Sequence, residues 1–92
     1  MNFETYRIFY YTARYKNITG AAKALFLTQP TVSHAIAGLE KELGCQLFIR
    51  SKKGVQMTPE AELLYRHLSK AFQHVEDGEQ SLRDHLSLSE GQ

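Results

Sequence analysis

The sequence predicts a mainly α fold: three short helices, a two-stranded hairpin and one long terminal helix. Apolar residues recur every three or four positions through three blocks that precede Gly44. Beyond Gly44 that period gives way to two short β-prone runs on either side of the tetrapeptide SKKG. From Glu60 to Ser87 the helical period returns and runs without a proline.

In the first block Phe3, Tyr6, Phe9 or Tyr10, and Ala13 share one helical face, which predicts an amphipathic helix over residues 3 to 15. Its aromatic residues are read as core. A short second helix is predicted to start at Thr19 as N-cap, with Ile18 as an outside staple and Ala21, Ala22 and Leu25 facing inward. Two adjacent alanines allow close approach of another helix. The third helix begins at Thr28, another good cap, and tolerates Pro30 because first-turn amides have no intrahelical partner. Val32, Ile36, Leu39 and Leu43 form its apolar stripe, and Gly44 supplies the left-handed residue that closes it.

The runs QLFIR and VQM bracket a polar, basic turn, so residues 47 to 57 read as a hairpin. Thr58 and Pro59 open the long helix, over residues 59 to 88. Along it Ala61, Leu64, Leu68, Phe72, Val75, Leu82 and Leu86 approximate a coiled-coil seam, interrupted near Gly78 and Glu79. A helix of about 28 residues is roughly 42 Å long, more than so small a domain can cover. Its apolar stripe therefore calls for a partner helix, most economically in a homodimer, with Leu64, Leu68, Phe72, Val75, Leu82 and Leu86 as the dimerisation residues. Residues 89 to 92 read as a disordered tail.

With 92 residues, 42% apolar and 23% charged, the chain has the size and composition of one soluble domain. It shows neither an apolar run of membrane-spanning length nor a signal-peptide pattern, so a cytoplasmic location is expected, without membrane contact. The single Cys45, at a helix end, reads as a small buried hydrophobe. A net charge of +1 hides an asymmetry. Residues 1 to 58 carry eight basic side chains against three acidic ones, whereas residues 59 to 92 carry three against seven. A basic front and an acidic rear suggest two jobs on one chain.

The outer face of the third helix suggests the first job. Thr31, Ser33, His34, Ala37 and Gly38 are short or uncharged where a solvated helix carries Glu, Lys and Arg. Helix, short helix, turn, helix and hairpin in that order form a winged helix-turn-helix, whose third helix enters the major groove of duplex DNA. A bare face lets the backbone approach base edges, with Gln29, Ser33 and His34 available for hydrogen bonds. The positive end of the helix dipole at Thr28 to Thr31 favours a phosphate. Arg50, Lys52 and Lys53 at the wing tip can reach the flanking backbone or minor groove.

The segment TQPTVSHAIAGLEKELGCQLFIR also closely resembles the signature of LysR-type transcriptional regulators. That pattern runs roughly Ser-Gln-Pro-x-Val-Ser and then Leu-Glu-x-x-Leu-Gly-x-x-Leu-Phe-x-Arg. It is matched at Gln29, Pro30, Val32, Ser33, Leu39, Glu40, Leu43, Gly44, Leu47, Phe48 and Arg50, with support from Ala21-Ala22 and Met57-Thr58. The resemblance covers residues 1 to 88. It implies a winged helix-turn-helix over residues 1 to 58 and a dimerising linker helix over 59 to 88, binding an interrupted inverted repeat in double-stranded promoter DNA. By the same resemblance Gln29, Pro30, Thr31, Ser33 and His34 meet the groove, and Arg50 and Lys53 make the wing's contacts. His34 stands where the family often has Arg, and Ala61 where Gly is common. The effector-binding domain that normally follows the linker is absent from these 92 residues, which suggests either an excised DNA-binding domain, the favoured reading, or a regulator that has lost its sensor.

Other chemistries find little support. His67, His74 and His85 are not spaced to share a metal within one helix, and neither a metal nor a cofactor is expected. Adjacent Ser33 and His34 diverge by about 100° on a helix and make no catalytic pair, so the chain is not expected to be an enzyme. Tyr11 and Tyr15 lie off the first helix's core stripe and are candidates for packing on a partner's long helix. The competing reading is a winged-helix module whose bare third helix binds protein; it predicts little affinity for duplex DNA even at low salt.

Overall fold

The computed structural model describes residues 2–90. Helices α1 (Phe3–Tyr15), α2 (Ile18–Leu25) and α3 (Gln29–Leu43) are followed by strands β1 (Phe48–Ser51) and β2 (Gly54–Met57) and by the long helix α4 (Pro59–Glu90). The winged helix-turn-helix with a long terminal helix is thus the observed architecture.

The Asn2 side chain opens α1 by accepting from the amides of Glu4, at 2.9 Å, and Thr5, at 3.4 Å. The buried face is Ile8, Phe9, Thr12 and Ala13. This is rotated from the predicted stripe: Phe3 is 56% exposed, and Tyr6 and Tyr10 are half-buried on the flank. Thr12 enters the core because its hydroxyl donates to the Ile8 carbonyl at 2.8 Å, which satisfies the polar group locally. A polarity pattern could not reveal that. Helix α2 starts two residues before the position expected from Thr19. Asn17 is the N-cap, its side chain accepting from the Gly20 amide, and Ile18 and Thr19 lie in the first turn. Ala21, Ala22 and Leu25 are buried as the pattern required.

Thr28 caps α3, accepting from the Thr31 amide at 3.3 Å, and Gly44 closes it at φ 75°. Val32, Ile36 and Leu39 are buried, while Leu43, at the end of the stripe, is 41% exposed. The connection to the wing is held by Glu40, whose Oε2 accepts from the amides of Leu47 (2.7 Å) and Phe48 (3.2 Å). Cys45 is half-buried and packs on the core. The hairpin is antiparallel, with Phe48 opposite Met57 and Arg50 opposite Val55. Its base is fastened to α1, where the rings of Phe9 and Phe48 lie 5.3 Å apart.

Thr58 joins wing to linker. Its hydroxyl donates to the Gln46 carbonyl at 2.7 Å and accepts from the Ala61 amide at 3.1 Å, capping α4. Helix α4 has 32 residues and reaches Glu90, so residues 89 and 90, expected in a tail, are helical. Gly91 and Gln92 lie outside the described residues. At 1.5 Å per residue α4 spans about 48 Å, which accounts for most of the 55 Å long axis of a molecule 24 by 22 Å across.

Candidate nucleic-acid interface

Burial of Val32, Ile36 and Leu39 turns the opposite side of α3 to solvent. Gln29, Pro30, Thr31, His34, Ala37 and Gly38 are exposed and Ser33 is half-buried. The predicted reading residues therefore lie at the exposed surface of α3, Ser33 only in part, and they differ in their hydrogen bonds. The hydroxyls of Thr28 and Thr31, both exposed, hydrogen-bond each other at 2.8 Å across the cap. Gln29 donates from its Nε2 to the Thr19 hydroxyl of α2 at 2.8 Å. Thr19 was read in the sequence only as a cap. Its pairing with Gln29 spans ten positions and depends on how α2 crosses α3, which local pattern does not encode.

The turn between α2 and α3 contributes a second residue that the sequence did not flag. Phe26 ends α2 in the left-handed conformation, φ 59°, and is 95% exposed beside the start of α3. Its amide and that of Leu27 tie back to Lys23 and Ala22, so the conformation is held by the helix end.

Arg50, Lys52 and Lys53 are all exposed on the wing. Strand alternation puts Arg50 on the same side as Phe48 and Val55, where it leaves the bundle, and sends Ile49, 51% exposed, to the outer side. Lys52 and Lys53 form the turn itself. The wing thus carries exposed basic groups, whereas Gln29, Pro30, Thr31, Ser33, Ala37 and Gly38 of α3 carry no charge.

The predicted dimerisation seam is divided by the structure. Leu64 and Leu68 pack on the domain's own core beside buried Ala61. Phe72 lies 4.7 Å from the Tyr10 ring and 5.4 Å from the Phe3 ring, and Tyr65 stacks on Tyr10 at 5.1 Å. Burial raises the Tyr65 phenol above its ordinary pKa, and the neighbouring Tyr10 adds to this. Val75, Leu82 and Leu86, farther along α4, are about half exposed. Tyr11 is half-buried and Tyr15 is 50% exposed, with Arg7 over the Tyr11 ring at 5.4 Å.

Among the described residues, His, Cys, Asp and Glu form no group of three suited to holding a metal. No described helix is long and apolar enough to cross a membrane.

Residues 3–62 match the model of bacterial regulatory helix-turn-helix proteins of the lysR family. The chain belongs to the LysR family. Its curated relatives include the HTH-type transcriptional regulator CzcR of Bacillus subtilis (strain 168), 40% identical over 84 residues, which are 91% of this chain and 29% of CzcR. The matched stretch is less than a third of the length of CzcR, of CitR of Bacillus subtilis (strain 168) and of BlaA of Proteus vulgaris. Among solved structures, a BenM DNA-binding domain in complex with catB site 1 DNA superposes with a TM-score of 0.80 at 32% identity, covering 95% of this chain and 97% of that one. A CbnR DNA-binding domain in complex with DNA gives 0.77 at 25% identity, covering 90% and 95%. The relatives CzcR and CitR, both of Bacillus subtilis (strain 168), are named as HTH-type transcriptional regulators.

Proposed function

We propose that this LysR-family chain is the DNA-binding and dimerising part of a transcriptional regulator, acting in the cytoplasm on an interrupted inverted repeat in promoter DNA. Helix α3 enters the major groove with Gln29, Pro30, Ser33 and His34 toward the bases, while the wing sets Arg50, Lys52 and Lys53 on the flanking backbone or minor groove. The observation that carries this reading is the small, polar, solvent-facing side of α3 beside an exposed basic wing, on a fold shared with domains solved on DNA.

The second copy follows from the bare half of α4. Val75, Leu82 and Leu86 leave the domain with their apolar side chains about half exposed, and their spacing of seven and four fits a helix pair. Leu64, Leu68 and Phe72, which pack in part on the chain's own core and on Tyr10, stay half-buried and extend the same stripe toward a twofold partner. Two recognition helices then face half-sites about one turn of DNA apart, or a multiple.

The deciding experiment selects duplexes from a random pool with the wild-type chain and compares selected and random duplexes across variants. Ser33→Ala or His34→Ala should reduce the preference for selected duplexes. Equal loss on both kinds of DNA would remove α3 from the reading role, and negligible affinity at low salt would favour a protein-binding module instead.

A further inference from the structure

We infer that Thr19, on α2, is a positioning residue that fixes the amide of Gln29 for recognition of adenine. This inference rests on the proposed placement of α3 in the major groove. The Gln29 Nε2 to Thr19 Oγ1 hydrogen bond is 2.8 Å long and joins two exposed side chains on different helices. A glutamine amide has one acceptor oxygen and two N–H donors. In the structure the nitrogen end of the amide faces α2 and donates one N–H to Thr19. When the donated N–H is the one anti to Oε1, Oε1 and the remaining N–H point the same way, the acceptor and donor pair that adenine complements with its N6 amino group and N7. An amide turned end for end would bring Oε1 to the threonine, which would then have to donate its own hydroxyl hydrogen, and would offer the base a different pattern.

The anchor is firm because α2 is firm. Asn17 caps it and Ala21, Ala22 and Leu25 are buried, so the Thr19 hydroxyl is carried by a helix held against the core. Gln29, in the first turn of α3, has several rotatable bonds, and ordering them costs free energy at the moment of binding unless they are already ordered. Water competes for both partners while they are exposed. Water leaves as α3 enters the groove, and the bond strengthens when it is needed. The Thr19 hydroxyl, accepting from Gln29, keeps its own hydrogen for donation to a DNA phosphate oxygen, so one side chain couples base reading to backbone position.

The test uses duplexes selected by the wild-type chain and all single-base variants of them. Gln29→Ala should relax the preference at one position, the adenine, by about tenfold or more. Thr19→Val, which keeps the shape and removes the hydroxyl, should relax the same position by a few-fold or more and have no further effect there in the Gln29→Ala background. Thr19→Ser should restore the preference. The urea midpoint of Thr19→Val should match wild type, because the residue is exposed. If Gln29→Ala relaxes a position and Thr19→Val lowers affinity for all duplexes alike, or not at all, the positioning role is overturned while α3 keeps its reading role. If Gln29→Ala relaxes no position although Ser33→Ala does, Gln29 is not a reader and the inference fails with α3 still in the groove. Loss of preference in neither would overturn the groove placement itself.

Discussion

The amide of Val55 donates to the carbonyl of Lys16 at 3.0 Å, so the wing's second strand hangs from the residue that ends the first helix. Lys16 is itself left-handed, φ 58°, and it is this twist of the chain that presents its carbonyl to the wing. The neighbouring Gly54 has φ 119°, and a Cβ there would collide with the same carbonyl. Gly54→Ala should therefore destabilise the domain by about 1–3 kcal/mol, combining backbone strain with lost contact. Urea unfolding measures the cost. A midpoint equal to wild type would mean that the wing is not seated on Lys16.

Glu40 plays a comparable part at the wing's other root. One carboxylate oxygen accepts from two amides, Leu47 and Phe48, in a partly buried place. Glu40→Ala leaves both donors without that acceptor and should cost about 1–3 kcal/mol, with Glu40→Gln recovering part of the loss. Comparable stability of Glu40→Ala and wild type in urea would contradict the assigned role.

Wing charges should govern affinity without governing sequence preference. Lys53→Ala is expected to weaken binding to selected and random duplexes alike and to lower the salt slope by about one unit. A salt slope unchanged from wild type would place Lys53 away from phosphates.

The two halves of the α4 stripe should behave differently. Leu82→Asp should yield monomers in sedimentation at concentrations where wild type is dimeric, with little loss in the folding of each domain. Leu64→Ala should instead lower domain stability, by about 1–2 kcal/mol, because Leu64 packs on its own core. Unchanged mass for Leu82→Asp would locate the dimer contact elsewhere.

Tyr65 predicts an alkaline limit. Its phenol is raised above the unfolded value by burial and by Tyr10, so the folded chain holds the proton more tightly than the unfolded chain does. The resulting stability is complete below the ordinary phenol pKa and is lost as pH rises through the raised one. Urea midpoints taken across that alkaline range should fall for wild type and fall less for Tyr65→Phe. Parallel curves would show that burial of Tyr65 is not felt as a titration.

The sequence by itself determined the local features: the caps at Thr28 and Gly44, the apolar spacing of Val32, Ile36 and Leu39, the hairpin around the basic turn, and the family signature across α3 and the wing. Each depends on residues within a few positions of one another, where propensity and periodicity act directly. Tertiary structure alone decided which aromatic residues of α1 face the core and which face α4, that half of the α4 stripe is partly covered by Tyr10, Phe3 and the domain core, and that Gln29 meets Thr19. Those outcomes depend on how helices cross. Crossing is fixed by the joint packing of side chains distant in sequence, such as Phe9 on Phe48, and no single segment carries that information.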